Sequence, residues 1–122
     1  MNGNTDIAGY EALGALSEDE LLFQLGAAIR PIDLGAGRPS RGDIVRRAKQ
    51  WLQIERPSIA KLICNDARVV AFRTGDHKDQ YDLFVVVCDC VSSLHGGLPI
   101  ATIGMLILRL GLNNLCGELQ RP

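Results

Sequence analysis

The chain has 122 residues, of which 47% are apolar and 22% charged, and its formal net charge is −1. That composition fits one folded domain and excludes a disordered tail, a collagen-like repeat and a charged coiled coil. Near-neutral charge gives no whole-chain pull towards DNA or an anionic membrane.

Met1 to Leu16 contain Asp6, Glu11 and three glycines, with neither the basic start nor the apolar core of a signal peptide. Residues 1–16 are expected to be a flexible segment or a short helix near Ile7 to Leu16, ahead of a single helical domain over 17–122. Ser17-Glu18-Asp19-Glu20 is a capping box in front of Leu21-Leu22-Phe23. It opens a helix that Pro31 ends. Leu21, Leu22, Leu25, Ala28 and Ile29 share one face at 3.6 residues per turn, and Phe23 lies on the other side. Residues 31–40 are rich in Gly and Pro and read as a loop.

A second helix starts near Ser40 to Asp43 and runs to about Arg56. Its expected inner face is Ile44, Ala48, Trp51 and Leu52, with Val45 at the edge and Trp51 largely buried. Arg46, Lys49, Gln50 and Gln53 are expected on the opposite face. Pro57 is expected to separate this helix from the next, with Ser58 as N-cap. The segment 58–73 fits a helical stripe through Ile59, Ile63, Ala67 and Val70, stopped by Thr74-Gly75. A short strand over Arg68 to Arg73 is the alternative. Gly75 to Asp79 form a polar loop.

Residues 80–94 are rich in valine, yet Asp82 and Asp89 would point to opposite faces of a strand. Seven residues apart on a helix they fall on one face with Ser93, so helix is expected. His95-Gly96-Gly97 ends it, and Pro99 suits the first turn of the next. The last helix, about 99–115, is apolar almost all round, with a narrow polar stripe of Thr102, Arg109 and Asn113. A helix through 90–108 would cross two glycines and a proline, and too few apolar residues remain after Pro99 to span a bilayer. The fold class expected is therefore all-α: a compact bundle of five helices, or six with the N-terminal one, closed by an antiparallel C-terminal hairpin. In that hairpin Asp82 would meet Arg109, and Asp89 would lie near Gly104.

The four cysteines, Cys64, Cys88, Cys90 and Cys116, sit among apolar residues or at a helix end. Without an export signal they read as reduced, buried structural thiols in a cytoplasmic protein. Cys88 and Cys90, two residues apart on a helix, diverge too far to share a zinc ion. No local signature makes a cysteine nucleophile, and the glycine clusters match neither the P-loop nor the dinucleotide fingerprint. No metal, cofactor or enzymatic activity is expected.

Charge is unevenly placed. Residues 1–40 carry two basic and six acidic groups, 41–61 six basic and two acidic, and 62–122 five basic and six acidic. An acidic start beside a basic second helix favours complementary contacts between protein surfaces. The reading is a non-enzymatic protein–protein interaction module, an adaptor or regulatory component that self-associates as a homo-oligomer or docks on a larger partner. The residues singled out for partner binding are Phe23, Arg46, Lys49, Lys61, Arg68 and Asp89. The alternative is a helix-turn-helix DNA-binding regulator using the basic 41–68 region, with Arg46, Lys49, Lys61 and Arg68 facing phosphates and base edges.

Overall fold

In a computed structural model the described residues are 6–29, 40–75, 79–94 and 97–117. They form seven α-helices: α1 Ile7–Gly14, α2 Glu18–Ala28, α3 Arg41–Cys64, α4 Ala67–Thr74, α5 Gln80–Val91, α6 Ile100–Leu110 and α7 Leu112–Gly117. There is no strand among the described residues, so 67–73 is helical and the bundle is all-α. The expected loop at 31–39, the centre of the polar loop at 76–78 and the His95-Gly96 turn lie outside the described residues.

Local chemistry starts most helices. Ser17 caps α2 by accepting from the Glu20 amide, and the Glu20 carboxylate returns the bond to the Ser17 amide. Ser40 and Asp43 repeat this box at α3. Asp6, Asp66 and Asp79 cap α1, α4 and α5 with their side chains.

The break expected at Pro57 does not exist. Helix α3 runs through it for 24 residues, from Arg41 to Cys64. The proline removes one i→i−4 bond, to the Gln53 carbonyl, at a cost of about 3 kcal/mol. Burial of Ile59, Ala60, Ile63 and Cys64 beyond it offsets that cost. The chain turns instead at Asn65 and Asp66, between α3 and α4. Ser58 is thus a helix-interior residue, not a cap.

The phase of α3 also differs from the expectation. Its buried arc is Val45, Ala48, Ile59, Ala60 and Ile63. Ile44 and Trp51, about 100° from Val45 and Ile63 on the helical wheel, are only half-buried. A wheel drawn over the first half of a helix could not see that Ile59 and Ile63 continue the arc and set its centre.

The last helix is two. Gly111 has φ +94°, a left-handed conformation suited to glycine, and it ends α6 and starts α7. Helix α6 is buried from Ala101 to Ile107, so it is the central helix. Its nearly all-round apolar surface is covered because α1 packs on it as well as α2 and α5. Thr102 is buried and donates to the Gln24 side-chain oxygen at 2.9 Å.

Two glycines let helices touch. A Cβ on Gly26 would fall on the Ile44 carbonyl, which brings α2 against α3. A Cβ on Gly104 would lie 2.6 Å from Cys88 Sγ, and Phe84 covers the same spot. Cys88 Sγ also contacts the Ile100 carbonyl at 3.9 Å. Gly104 therefore meets Cys88 and Phe84 rather than Asp89. Tyr10 ties α1 to α5, with ring centroids 5.5 Å from Tyr81 and 5.1 Å from Phe84.

The cysteines divide into two pairs. Cys64 at the end of α3 and Cys116 in α7 form a disulfide, with Cα atoms 5.5 Å apart. This corrects the reading of four reduced thiols. The two cysteines are 52 residues apart in sequence, and only the packing of α7 on α3 brings them together. Cys88 and Cys90 are free.

Candidate interaction groove

Three arginines hold helix ends. The last four carbonyls of a helix lack intrahelical partners and sit at the negative end of its dipole. Arg47 donates to the Gly26 and Ile29 carbonyls at 3.4 and 3.3 Å, closing α2. Arg56 donates to the Asn114 carbonyl of α7 at 2.8 Å. Arg109 donates to the Leu13, Gly14 and Leu16 carbonyls at 3.4, 3.1 and 2.6 Å, closing α1. The expected Asp82–Arg109 pair is therefore replaced. Arg109 finds a helix terminus, and Asp82 lines a shallow pocket together with Arg68 and Phe72 of α4.

Arg56 and Arg109 flank an open groove of about 560 Å³ between α2, α3, α6 and α7. Its base is built from Leu22, Ile59, Leu106, Ile107 and Leu115, all buried. Leu52 and the more exposed Leu110 form the upper walls. The rim carries Lys49, Gln53, Arg56, Arg109 and Asn114. Among the described residues Glu18 is the single carboxylate lining it. The groove thus joins an apolar base to three cations and one anion. The disulfide stands behind one wall, because Cys116 follows directly on Asn114 and Leu115.

Of the residues expected to bind a partner, only Lys49 reaches this groove. It is exposed, and it borders the apolar arc instead of opposing it. Arg46 is exposed on the same helix and pairs with Asp43 at 2.8 Å, which holds the Asp43 carboxyl below its ordinary range, with help from the Ser40 amide. Lys61 is exposed near the end of α3, and its carbonyl accepts from the Asn65 side chain. Phe23 is half-buried under Arg41, whose guanidinium lies 4.3 Å from the ring centroid.

Arg68 and Asp89 do come together. Arg68 bridges Asp66 and Asp89 at 2.9 Å each. Because the turn at Asn65–Asp66 separates α3 from α4, Lys61 and Arg68 are not on one helix as expected. The Arg68 guanidinium, then the Arg68 amide and the Cys90 thiol, hold the Asp66 carboxyl well below the usual carboxylate range. Cys90 Sγ donates to Asp66 at 3.5 Å. Burial, then the Asp66 charge, pushes the Cys90 thiol up to about 11. Burial alone pushes Cys88 up to about 12. Both thiols are therefore protonated at neutral pH and are poor nucleophiles.

Sequence reading missed Arg56, Leu52, Leu110 and Asn114. One signal was available. Arg56 falls in phase with Val45, Ile59 and Ile63, a cation on an apolar arc. Such a residue must reach a partner from inside the fold, and Arg56 does. Among the described residues no group of three His, Cys, Asp or Glu side chains is placed to hold a metal ion. No helix among them is long and apolar enough to cross a membrane. No protein-family model, curated protein or solved structure matches the chain.

Proposed function

We propose that the chain is a non-enzymatic protein–protein interaction module that docks on a larger partner or on a second copy of itself. The observation that carries this reading is the groove: an apolar base, open to solvent, inside a polar and mainly basic rim. Apolar centre with polar rim is the anatomy of protein interfaces. Leu110 at 37% exposure stands at its edge as a contact residue. The raised thiols Cys88 and Cys90 support a binding role over nucleophilic chemistry. The helix-turn-helix alternative loses support because α3 is continuous through Pro57 and Arg68 is engaged by two carboxylates.

Photo-crosslinking tests the reading. A photoreactive residue replaces Gln53 or Leu110 at the groove, or Val85 on the far side of the bundle, in the native host. A discrete adduct from Gln53 and Leu110 but not from Val85 is expected, of a size that identifies a second copy or a larger partner. Adducts that do not depend on position, or none from the groove, would overturn the reading. Steeply salt-dependent DNA binding lost on Lys49→Glu would favour the regulator instead.

A further inference from the structure

Resting on the groove as a docking site, we propose that the Cys64–Cys116 pair is a redox switch that gates it. The disulfide form holds α7 in place as a wall of the groove, and the dithiol form releases α7. Helix α7 supplies Asn114 and Leu115 to the groove. It is six residues long, too short to persist without tertiary contacts. Its buried residues are Leu115 and Cys116, and it packs chiefly on α3 and α6. Gly111, at φ +94°, is the pivot where α7 leaves α6. The disulfide ties the other end of α7 to the last residue of α3. Besides that bond, α7 is held by Leu115, by Arg56 donating to the Asn114 carbonyl and by Arg73 donating to the Asn113 side chain.

Both cysteines are buried, so a reductant reaches them only when α7 opens locally. The helix that opens carries Cys116, and its sulfur is the one attacked. A thiolate of an external dithiol bonds to Cys116 Sγ as the bond to Cys64 Sγ breaks, and Cys64 leaves as a thiolate that takes up a proton. The second thiolate of the dithiol then attacks the first sulfur. The dithiol closes to its own disulfide, and Cys116 leaves as a thiolate that is protonated in turn. Two electrons have passed from the dithiol to the cysteine pair, and an external disulfide runs the same steps backwards. The free thiols of the chain do not compete. Cys88 is buried and Cys90 donates to Asp66, and both are protonated at neutral pH. A partner that bridges α3 and α7 holds α7 down. Docking therefore protects the disulfide by the same factor by which the disulfide favours docking.

The test compares the full oxidised chain with the chain reduced by dithiothreitol and with a variant carrying both Cys64→Ser and Cys116→Ser. Dithiothreitol should take the chain from two thiols to four, counted by mass after denaturation and alkylation, with the helical circular dichroism kept. The amides of 112–117 should exchange about tenfold faster in the reduced chain and in the serine variant, and those of α5 at an unchanged rate. In the native host, the photo-crosslinked adduct from Gln53 should fall about tenfold in the serine variant and keep its yield with Cys88→Ser and Cys90→Ser. A pair that dithiothreitol leaves oxidised, or reduces only as the whole helical signal collapses, is a structural staple and would overturn the switch. Unchanged exchange of α7 on reduction would overturn it too. An adduct of equal yield from the serine variant would do the same while leaving the groove a docking site. Should the serine variant not fold, crosslinking of the native chain in host lysate with and without dithiothreitol makes the same comparison. Absence of an adduct from the native chain and the serine variant alike would overturn the docking reading, and the gate with it.

Discussion

The α4–α5 side of the molecule and the groove side carry the same kinds of residue and treat them differently. On α4 and α5, Arg68 is neutralised by Asp66 and Asp89 at 2.9 Å each. Around the groove, Arg56 and Arg109 are held by carbonyls at helix ends. Both sides expose apolar atoms as well, Val70 and Val85 on one, Leu110 on the other. A charged or apolar residue at the surface therefore marks no site by itself. What distinguishes the groove is an arginine, Arg109, fixed by backbone carbonyls, next to apolar surface that is shaped but not covered.

The largest expected effect lies on the groove side. Replacing both Cys64 and Cys116 with serine opens a 52-residue loop, which in the chain-entropy model costs about 4 kcal/mol. Denaturant melts should show that loss. Hydrogen exchange should show α7 deprotected before α4 and α5. If α4 and α5 loosen equally, the two sides are not independent.

Next comes the close contact between α2 and α3 at Gly26. Gly26→Ala places a methyl on the Ile44 backbone, which cannot move as a side-chain tip can. A loss of about 3 kcal/mol is expected in urea unfolding. A neutral result would mean that α2 and α3 separate freely.

These two effects also show what was legible in the chain. The capping box at Ser17-Glu20, the helix start near Ser40 to Asp43, the stop at Thr74-Gly75 and the helix over Asp82 and Asp89 are local events, and sequence pattern found them. The continuity of α3 through Pro57 was not legible, because distant packing of Ile59 and Ile63 overrides the local penalty. The Cys64–Cys116 bond and the Arg109 cap on α1 join residues brought together only by the fold. The last helix was expected unbroken over about 99–115, and the left-handed turn at Gly111 that divides it was not legible. At the candidate site, Lys49 was legible as an exposed cation. Its partners Leu52, Arg56 and Leu110 became visible only once the phase of α3 and the end of α6 were known.

A smaller effect tests the helix-end arginines. Arg109→Met keeps the aliphatic stem and removes the bonds to the Leu13 and Gly14 carbonyls of α1 and the Leu16 carbonyl just after it. A loss of about 1–2 kcal/mol is expected, with the α1 amides exchanging faster. Trp51→Ala falls in the same range, about 2 kcal/mol, because the ring is half-buried. Native tryptophan emission should accordingly lie between buried and fully aqueous positions.

The smallest effect belongs to the compensated side. The Asp66 carboxyl titrates below its ordinary value of 3.8, so its contribution is in place above that pH. The contribution fades as pH falls below 3.8 towards the folded-state value. Asp66→Asn retains an N-cap side chain and removes the titration. The variant should show a shallower fall in melting temperature between about pH 4 and 2 than the native chain. An unchanged slope would mean that Arg68 does not stabilise the ionised form.

The most direct measurement is photo-crosslinking in the native host from a panel of exposed positions. A discrete adduct is expected from Lys49, Gln53, Leu110 and Asn114, while Val70, Val85 and Asp89 give none. Adducts centred on α4 and α5, or scattered over both sides, would contradict the claim that the apolar groove is the docking face.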